Sequence, residues 1–249
     1  MSIRSIRSFS LIIKEALNMA VIMEYIGRNS ALNVPLPKQE DKKQIGTFLG
    51  VEDANKVLQA FRGHHLQPLI YVTLYYGLRR SEVLGLKWGA IDFNNDTIEI
   101  RHTVVKNLTV VAKDKTKTVS SNRTYMLLPE IKELLLHVKE KTEYYKHMFG
   151  SEYIDTDYIF TWPNGKPYAP DSVTRGFQRV LKNNGLPKMR FHDLRHSTAS
   201  ILYDIGWDLK DIQTWLGHAD IETTGNIYTH ISKLRKQTMA NNIEHLFHL

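Results

Sequence analysis

The chain has 249 residues, 42% of them hydrophobic, which suits one large domain or a domain with an appendage. It contains no cysteine, which excludes a disulfide framework, a thiolate zinc site and a cysteine nucleophile. Lysine and arginine total 33 against 26 acidic residues, a formal charge of +7 that favours polyanionic partners through counterion release.

No apolar run approaches the roughly 18 to 20 residues of a membrane span, and the N-terminus lacks the ordered regions of a signal peptide, so the chain reads as soluble and intracellular. The first stretch, "SFSLIIKEALNMAVIMEYIGRN", reads as a helix over about residues 8 to 27. Its apolar side chains, among them Leu11, Ile12, Ile13, Leu17, Met19, Val21 and Met23, wrap nearly the whole circumference. Such a helix needs burial on more than one side. The stretch that follows, "NSALNVPLPKQEDKKQ", has two prolines, a charged run and no clear period, and reads as a linker over residues 31 to 46. The expected organisation is a helical remnant at 1–30, the linker, and a main domain at 47–249, the remnant implying a chain that starts inside a longer protein.

From Val51 the pattern is mostly helical: "VEDANKVLQAFRG", then "LQPLIYVTLYYG", then a short turn "RRSEVLGL". Residues 97 to 128 differ, because "TIEIRH", "TVVKNLTVV" and "RTYMLL" are rich in β-branched residues, and they read as a three-stranded antiparallel meander. Pro129 suits the first position of a long helix through about Met148. Further helices are expected at about 171–184, 193–205, 208–216, 221–228 and 233–247. The fold class is therefore mainly α with a small three-stranded antiparallel sheet.

Four polar stretches could carry chemistry. In "YYGLRRSEVLGLKW", Arg79 and Glu82 stand three apart and can face one way on a helical turn, as many solvated ion pairs do. The stretch "KDKTKTVSSNRTYMLLP" reads as a lysine-rich hairpin, either a solvated edge-protecting turn or a finger that delivers an ammonium to a phosphate or leaving group. In "FHDLRHSTAS", His192 and His196 have the i, i+4 spacing of a zinc pair, but Arg195 beside them repels a cation and attracts phosphate. In "DIQTWLGHADIETTGNIYTH", Gly217 reads as a helix C-terminal cap with His218 just beyond, and Tyr228 reads as a half-buried packing residue with its hydroxyl satisfied.

Taken in order, "GLRRSE", "KTVSSNR", "HDLRH", "LGH" and "IYTH" make the chain resemble the tyrosine recombinases, the phage and transposon integrases and Xer-type recombinases, over about residues 46 to 249. On this resemblance Arg79 is similar to the first catalytic arginine, with Glu82 as its acidic supporter. Lys117 is similar to the hairpin lysine, His192 and Arg195 to the His-x-x-Arg pair, His218 to the third-box histidine, and Tyr228 to the nucleophile. The helix before the linker, about residues 8 to 27, would be the last helix of a core-binding domain.

The resemblance implies site-specific DNA cleavage and rejoining through a covalent 3′-phosphotyrosine, integrating or excising a mobile element in the cytoplasm. It implies no metal, no cofactor and no ATP, because two guanidiniums neutralise the phosphate and the ester retains the bond energy. The implied partners are double-stranded recombination sites and other copies of the chain, four protomers on two sites, with accessory DNA-bending or directionality factors and no membrane. A type IB topoisomerase-like activity, a DNA-binding module with a retired site, and a zinc hydrolase built on His192, His196 and His218 are the rivals.

Overall fold

A computed structural model describes residues 3–37, 48–106, 110–113 and 123–217. The chain divides into two compact units, Met1–Ile45 and Gly46–Leu249. The first holds helix α1 (Ile3–Ile22), which starts earlier and stops sooner than the apolar pattern predicts. It ends where Asn29 draws the chain back, donating to Lys14 O at 3.0 Å and to Asn18 Oδ1 at 2.6 Å. Lys14 Nζ on Leu32 O and Arg7 on Pro37 O tie the proline-containing stretch to the same helix. Leu11, Ile12, Ile13, Met19 and Ile22 remain more than half exposed.

The second unit is built round a buried helix. Helix α2 (Val51–Ala60) leads to α3 (Gln67–Tyr76), which is apolar on all sides and buries Leu69, Ile70, Val72, Leu74 and Tyr76. Gly77 closes α3 in the left-handed conformation at φ 61°. A Cβ at this position would collide with Leu216 Cδ2, so glycine is required both by the backbone and by the close approach. The "RRSEVLGL" stretch is not a plain turn but a five-residue helix, α4 (Arg80–Leu84), nucleated when the Glu82 carboxylate accepts the Arg79 backbone N–H at 2.9 Å.

Three short strands pair antiparallel in the order β1-β2-β5: β1 (Ile91–Asp92), β2 (Thr97–Ile100) and β5 (Arg123–Met126). Ile91 faces Ile98, and Ile98 faces Tyr125. The sheet is three-stranded and antiparallel as expected, but it is not the expected meander. The "TVVKNLTVV" stretch makes a separate two-stranded ladder, β3 (Thr103–Lys106) with β4 (Val110–Lys113), in which Lys106 stands opposite Val110. The third strand of the main sheet comes instead from Ile91–Asp92, where Asp92 Oδ1 accepts from the N–H groups of Asn94 and Asn95 and turns the chain into β2.

Helix α5 (Pro129–Phe149) starts on its proline, and α6 (Pro170–Asn183) buries Val173, Phe177, Val180 and Leu181 along one stripe. Helix α7 (Asp193–Asp204) packs on α3 through small polar residues. Thr198 Oγ1 donates to Leu74 O at 2.6 Å, and Ser197 Oγ takes the Leu49 N–H at 3.0 Å. Helix α8 (Leu209–Leu216) starts on Asp208, whose carboxylate accepts the Asp211 N–H, and ends at Gly217 in the left-handed conformation. The core is continuous from α2 through α7, with Phe61 stacked on Phe177 at 5.7 Å. The helices expected at 221–228 and 233–247 and the tip of the lysine-rich hairpin lie outside the described residues.

Candidate active site

Two helix ends and one strand converge beneath α4. Arg79 immediately precedes α4, and Glu82 lies one turn into it, only 2% exposed. Arg79 Nη1 meets Glu82 Oε1 at 2.5 Å, and Arg79 Nη2 donates to Gly217 O at 3.2 Å. Arg195, on α7, is 0% exposed. Its Nη1 donates to Gly77 O at 2.7 Å and its Nη2 to Leu216 O at 2.6 Å, while Nη1 lies 3.8 Å from Glu82 Oε2. Thus one guanidinium bridges the carbonyl ends of α3 and α8, where the helix dipole is negative.

Sequence reasoning missed a third arginine. Arg123, the first residue of β5, donates to both Glu82 oxygens, Nη2 to Oε2 at 3.0 Å and Nη1 to Oε1 at 3.4 Å. The signal for it was the period of the strand: Arg123 and Tyr125 share one face, and Tyr125 is buried, so Arg123 is turned inward as well. Three guanidiniums therefore surround one carboxylate. Burial pushes the Glu82 pKa up, but Arg123, through charge and hydrogen bonds, and then Arg79 and Arg195 outweigh it and hold the group at about 2. Burial and the neighbouring Arg79 push Arg195 down to about 9, still charged at neutral pH. The cluster carries a surplus of positive charge that suits an anion.

Arg79 and His192 open onto a cavity of about 630 Å³, whose wall also includes Arg80, Arg190, Thr174 and Gln178. Arg80 Nη1 donates to Thr174 Oγ1 at 2.5 Å, which ties α4 to the start of α6. His192 has exposed surface on the cavity. The protein packed around its ring, followed by His196, Arg195 and Arg79, nevertheless holds its pKa down to about 4, so the imidazole is neutral at pH 7. The His192 and His196 rings stand edge to face at 4.7 Å. Among the described residues no group of three or more His, Asp or Glu converges as a metal-ligand set.

Asp193 starts α7 and is itself buried. Its carboxylate accepts the Arg190 N–H at 2.7 Å and the Arg190 guanidinium at 2.8 Å. The structure thus brings Arg79, Glu82, His192 and Arg195 together from segments more than 100 residues apart, and seats Arg195 deeper than its sequence motif suggests. Lys117, His218 and Tyr228 lie outside the described residues.

The phage integrase family matches residues 47–235. The chain belongs to the phage integrase family. Its second unit has the fold of the tyrosine-recombinase catalytic domain, mainly α with a small antiparallel sheet. The chain is 28% identical over 264 aligned positions to a tyrosine recombinase XerC-like protein of Caldanaerobacter subterraneus subsp. tengcongensis, covering 99% of this chain and 67% of that protein. It is 27% identical over 253 positions to the ICEBs1 integrase of Bacillus subtilis, with the same two coverages. The structure is similar to the Tn1549 transposon integrase solved in complex with transposon right end DNA, with a TM-score of 0.76 and 22% identity, covering 96% of this chain and 80% of that one. The chain spans 60 to 67% of the length of the curated relatives that head these matches. Among the described residues no helix of this integrase-family chain is long and apolar enough to cross a membrane.

Proposed function

We propose that the chain is a site-specific DNA recombinase that cleaves and rejoins strands through a covalent 3′-phosphotyrosine on Tyr228. The observation that carries this reading is the cluster of Arg79, Arg123 and Arg195 around the single carboxylate of Glu82, beside a basic cavity lined by the neutral His192. Attack on a phosphodiester spreads negative charge over the non-bridging oxygens, and preorganised guanidiniums stabilise that charge without a metal ion. Arg79 takes one oxygen from the cavity wall. Arg195 takes the other, exchanging a carbonyl partner for the phosphate.

The Tyr228 phenolic oxygen forms a bond to phosphorus as the bond from phosphorus to the 5′-oxygen breaks. His192 accepts the tyrosine proton, Lys117 donates one to the departing 5′-oxygen, and His218 hydrogen-bonds the phosphate. Attack of a different strand's 5′-hydroxyl on the phosphotyrosine reverses the chemistry and exchanges strands. The roles of Lys117, His218 and Tyr228 rest on the family motifs they match. The reaction takes no cofactor and no ATP.

The substrates are double-stranded recombination sites, held by four protomers on two sites in the cytoplasm, with accessory DNA-bending or directionality factors. Integration or excision of a mobile element is favoured because similar proteins include the ICEBs1 integrase and a transposon integrase held on transposon end DNA. We read α1 as the last helix of a core-binding domain, its exposed apolar side chains being suited to further packing. Incubation with a suicide DNA substrate in EDTA, with and without Tyr228→Phe, tests the chemistry. A covalent adduct that survives chelation and is lost in the variant supports it. An adduct that requires metal or persists without Tyr228 overturns it, and supercoil relaxation without strand exchange on paired sites points to topoisomerase-like action instead.

A further inference from the structure

Arg79 and Arg195 are not held by Glu82 alone. The last three carbonyls of the α8 segment each receive a different donor: Trp215 O from the Tyr125 hydroxyl, Leu216 O from Arg195 and Gly217 O from Arg79. Tyr125 in turn accepts from Arg123 Nε at 2.6 Å, and Arg123 grips both oxygens of Glu82. Arg123 and Tyr125 therefore hold the same two objects that Arg79 and Arg195 hold, namely the carboxylate of Glu82 and the carbonyl end of α8. The Tyr125 ring is wedged between Trp215 at 4.7 Å and Tyr76 at 5.2 Å, which fixes where its hydroxyl stands. Gly217 leaves no room for a side chain at this point, since a Cβ there would collide with the Arg123 guanidinium.

Arg79 stands apart from the other three in exposure and so in what it can reach. Its side chain is 34% exposed at the cavity, whereas Arg123 is 6% exposed and faces inward and Arg195 is 0% exposed. An anion in the cavity would meet Arg79 first, and a turn of Arg79 toward it would loosen its hold on Gly217 O and Glu82. We infer that Arg123 and Tyr125 are positioning residues that keep Glu82 and the carbonyl end of α8 in place while Arg79 turns to the phosphate. The inference rests on the reading of Arg79 and Arg195 as the phosphate-facing pair. It also gives the two residues a bearing on neighbouring parts of the reaction, since His218 follows the clamped carbonyls directly and Lys117 lies six positions before Arg123.

A structural prop and a positioning residue are separated by how the reaction depends on pH. Glu82 is faced by Arg79 ahead of α4, by Arg195 from α7, and by Arg123 and Tyr125 from β5. Burial opposes its ionisation, and Arg123 is the foremost of the groups that oppose burial. Loss of Arg123 leaves the carboxyl more readily protonated, and a protonated Glu82 releases Arg79.

The test uses the full chain and the suicide DNA substrate, with Arg123→Gln, Arg123→Lys and Tyr125→Phe. Arg123→Gln is expected to slow adduct formation by about 10- to 100-fold with little change in DNA affinity, the scale of a small misplacement of reacting groups. It is also expected to show a further acidic limb, at about pH 4 to 6, above the one that protonation of His192 gives the unsubstituted protein near pH 4. Arg123→Lys restores part of the rate and removes the limb, and Tyr125→Phe slows the reaction without adding one. A wild-type rate and pH profile in Arg123→Gln overturns the inference. So does a rate loss that only follows loss of folded protein, with the profile unchanged.

Carbon-13 NMR titration of the Glu82 carboxyl in DNA-free protein supplies a readout that needs no cleavage. Its midpoint is expected to rise in Arg123→Gln, and an unmoved midpoint overturns the inference whether or not the chain forms an adduct. An unsubstituted protein that forms no adduct instead defeats the Tyr228 reading and leaves the titration to decide the role of Arg123.

Discussion

Replacing Glu82 with glutamine removes the carboxylate shared by three guanidiniums and nearly preserves its size. Arg123 and Arg195, at 6% and 0% exposure, then face Arg79 with no countercharge among them. Breaking a buried ion pair from one side costs about 3 to 5 kcal/mol, because the partner charge stays buried. The depressed pKa of Glu82 corresponds to the same scale. Its pKa stands at about 2 in the folded protein against a reference of 4.5, which at about 1.4 kcal/mol per pKa unit amounts to about 3 kcal/mol. For a domain of this size each kcal/mol moves the melting temperature by about 2 to 4 °C, so Glu82→Gln should melt about 6 to 12 °C lower at pH 7.

The pH dependence sharpens the test. A depressed folded-state pKa gives stability that is complete above the unfolded value near 4.5 and is lost as pH falls through about 2. The gap between the unsubstituted protein and Glu82→Gln should therefore be about 1.4 kcal/mol smaller at pH 3.5 than at pH 7, as read by urea unfolding at both values. A gap below about 1 kcal/mol at pH 7, within the range of exposed ion pairs, would refute the buried-cluster reasoning. A gap that does not change with pH would show that the charge of Glu82 is not what stabilises the site.

Three further outcomes follow from the same geometry. Gly77→Ala forces a left-handed residue and pushes a methyl group onto Leu216, so chemical denaturation should show a loss of about 1 to 3 kcal/mol, and a neutral result would mean that α8 moves away freely. Arg195→Lys keeps the charge but loses the fork that spans Gly77 O and Leu216 O. The cost should be about 2 to 4 kcal/mol in urea unfolding, and stability within about 0.5 kcal/mol of the parent would count against the bridge. The His192 imidazole should titrate by NMR near 4 rather than near 6.5; because the unfolded chain takes up this proton first, acidification between those values favours unfolding, and a midpoint at or above 6.5 would remove the neutral-imidazole role.

Element types were legible wherever a residue's own covalent chemistry decides the matter. Pro129 opens α5, Gly77 and Gly217 close α3 and α8, and α6 lies within a residue of the helix expected at 171–184. Legibility failed at the strands. The β-branched stretches mark which segments are extended, yet they do not choose partners, and the pairing of β2 with Ile91–Asp92 depends on the Asp92 turn and on how Ile98 and Ile100 reach the core. In the site, the order of motifs singled out Arg79, Glu82, His192 and Arg195. Arg123 escaped notice because an arginine beside a lysine-rich stretch reads as one more solvated charge.

The sequence by itself determined the family and singled out the candidate residues, since these lie in short motifs whose spacing needs no folding to be read. Only the tertiary structure decided which charges share a counterion and which are buried. The Arg195 guanidinium joins the ends of two helices whose closing glycines lie 140 positions apart, and Glu82 is held ionised by three arginines, the foremost on a strand 41 residues away. Electrostatic strength depends on distance and burial, and neither is a property of chain order.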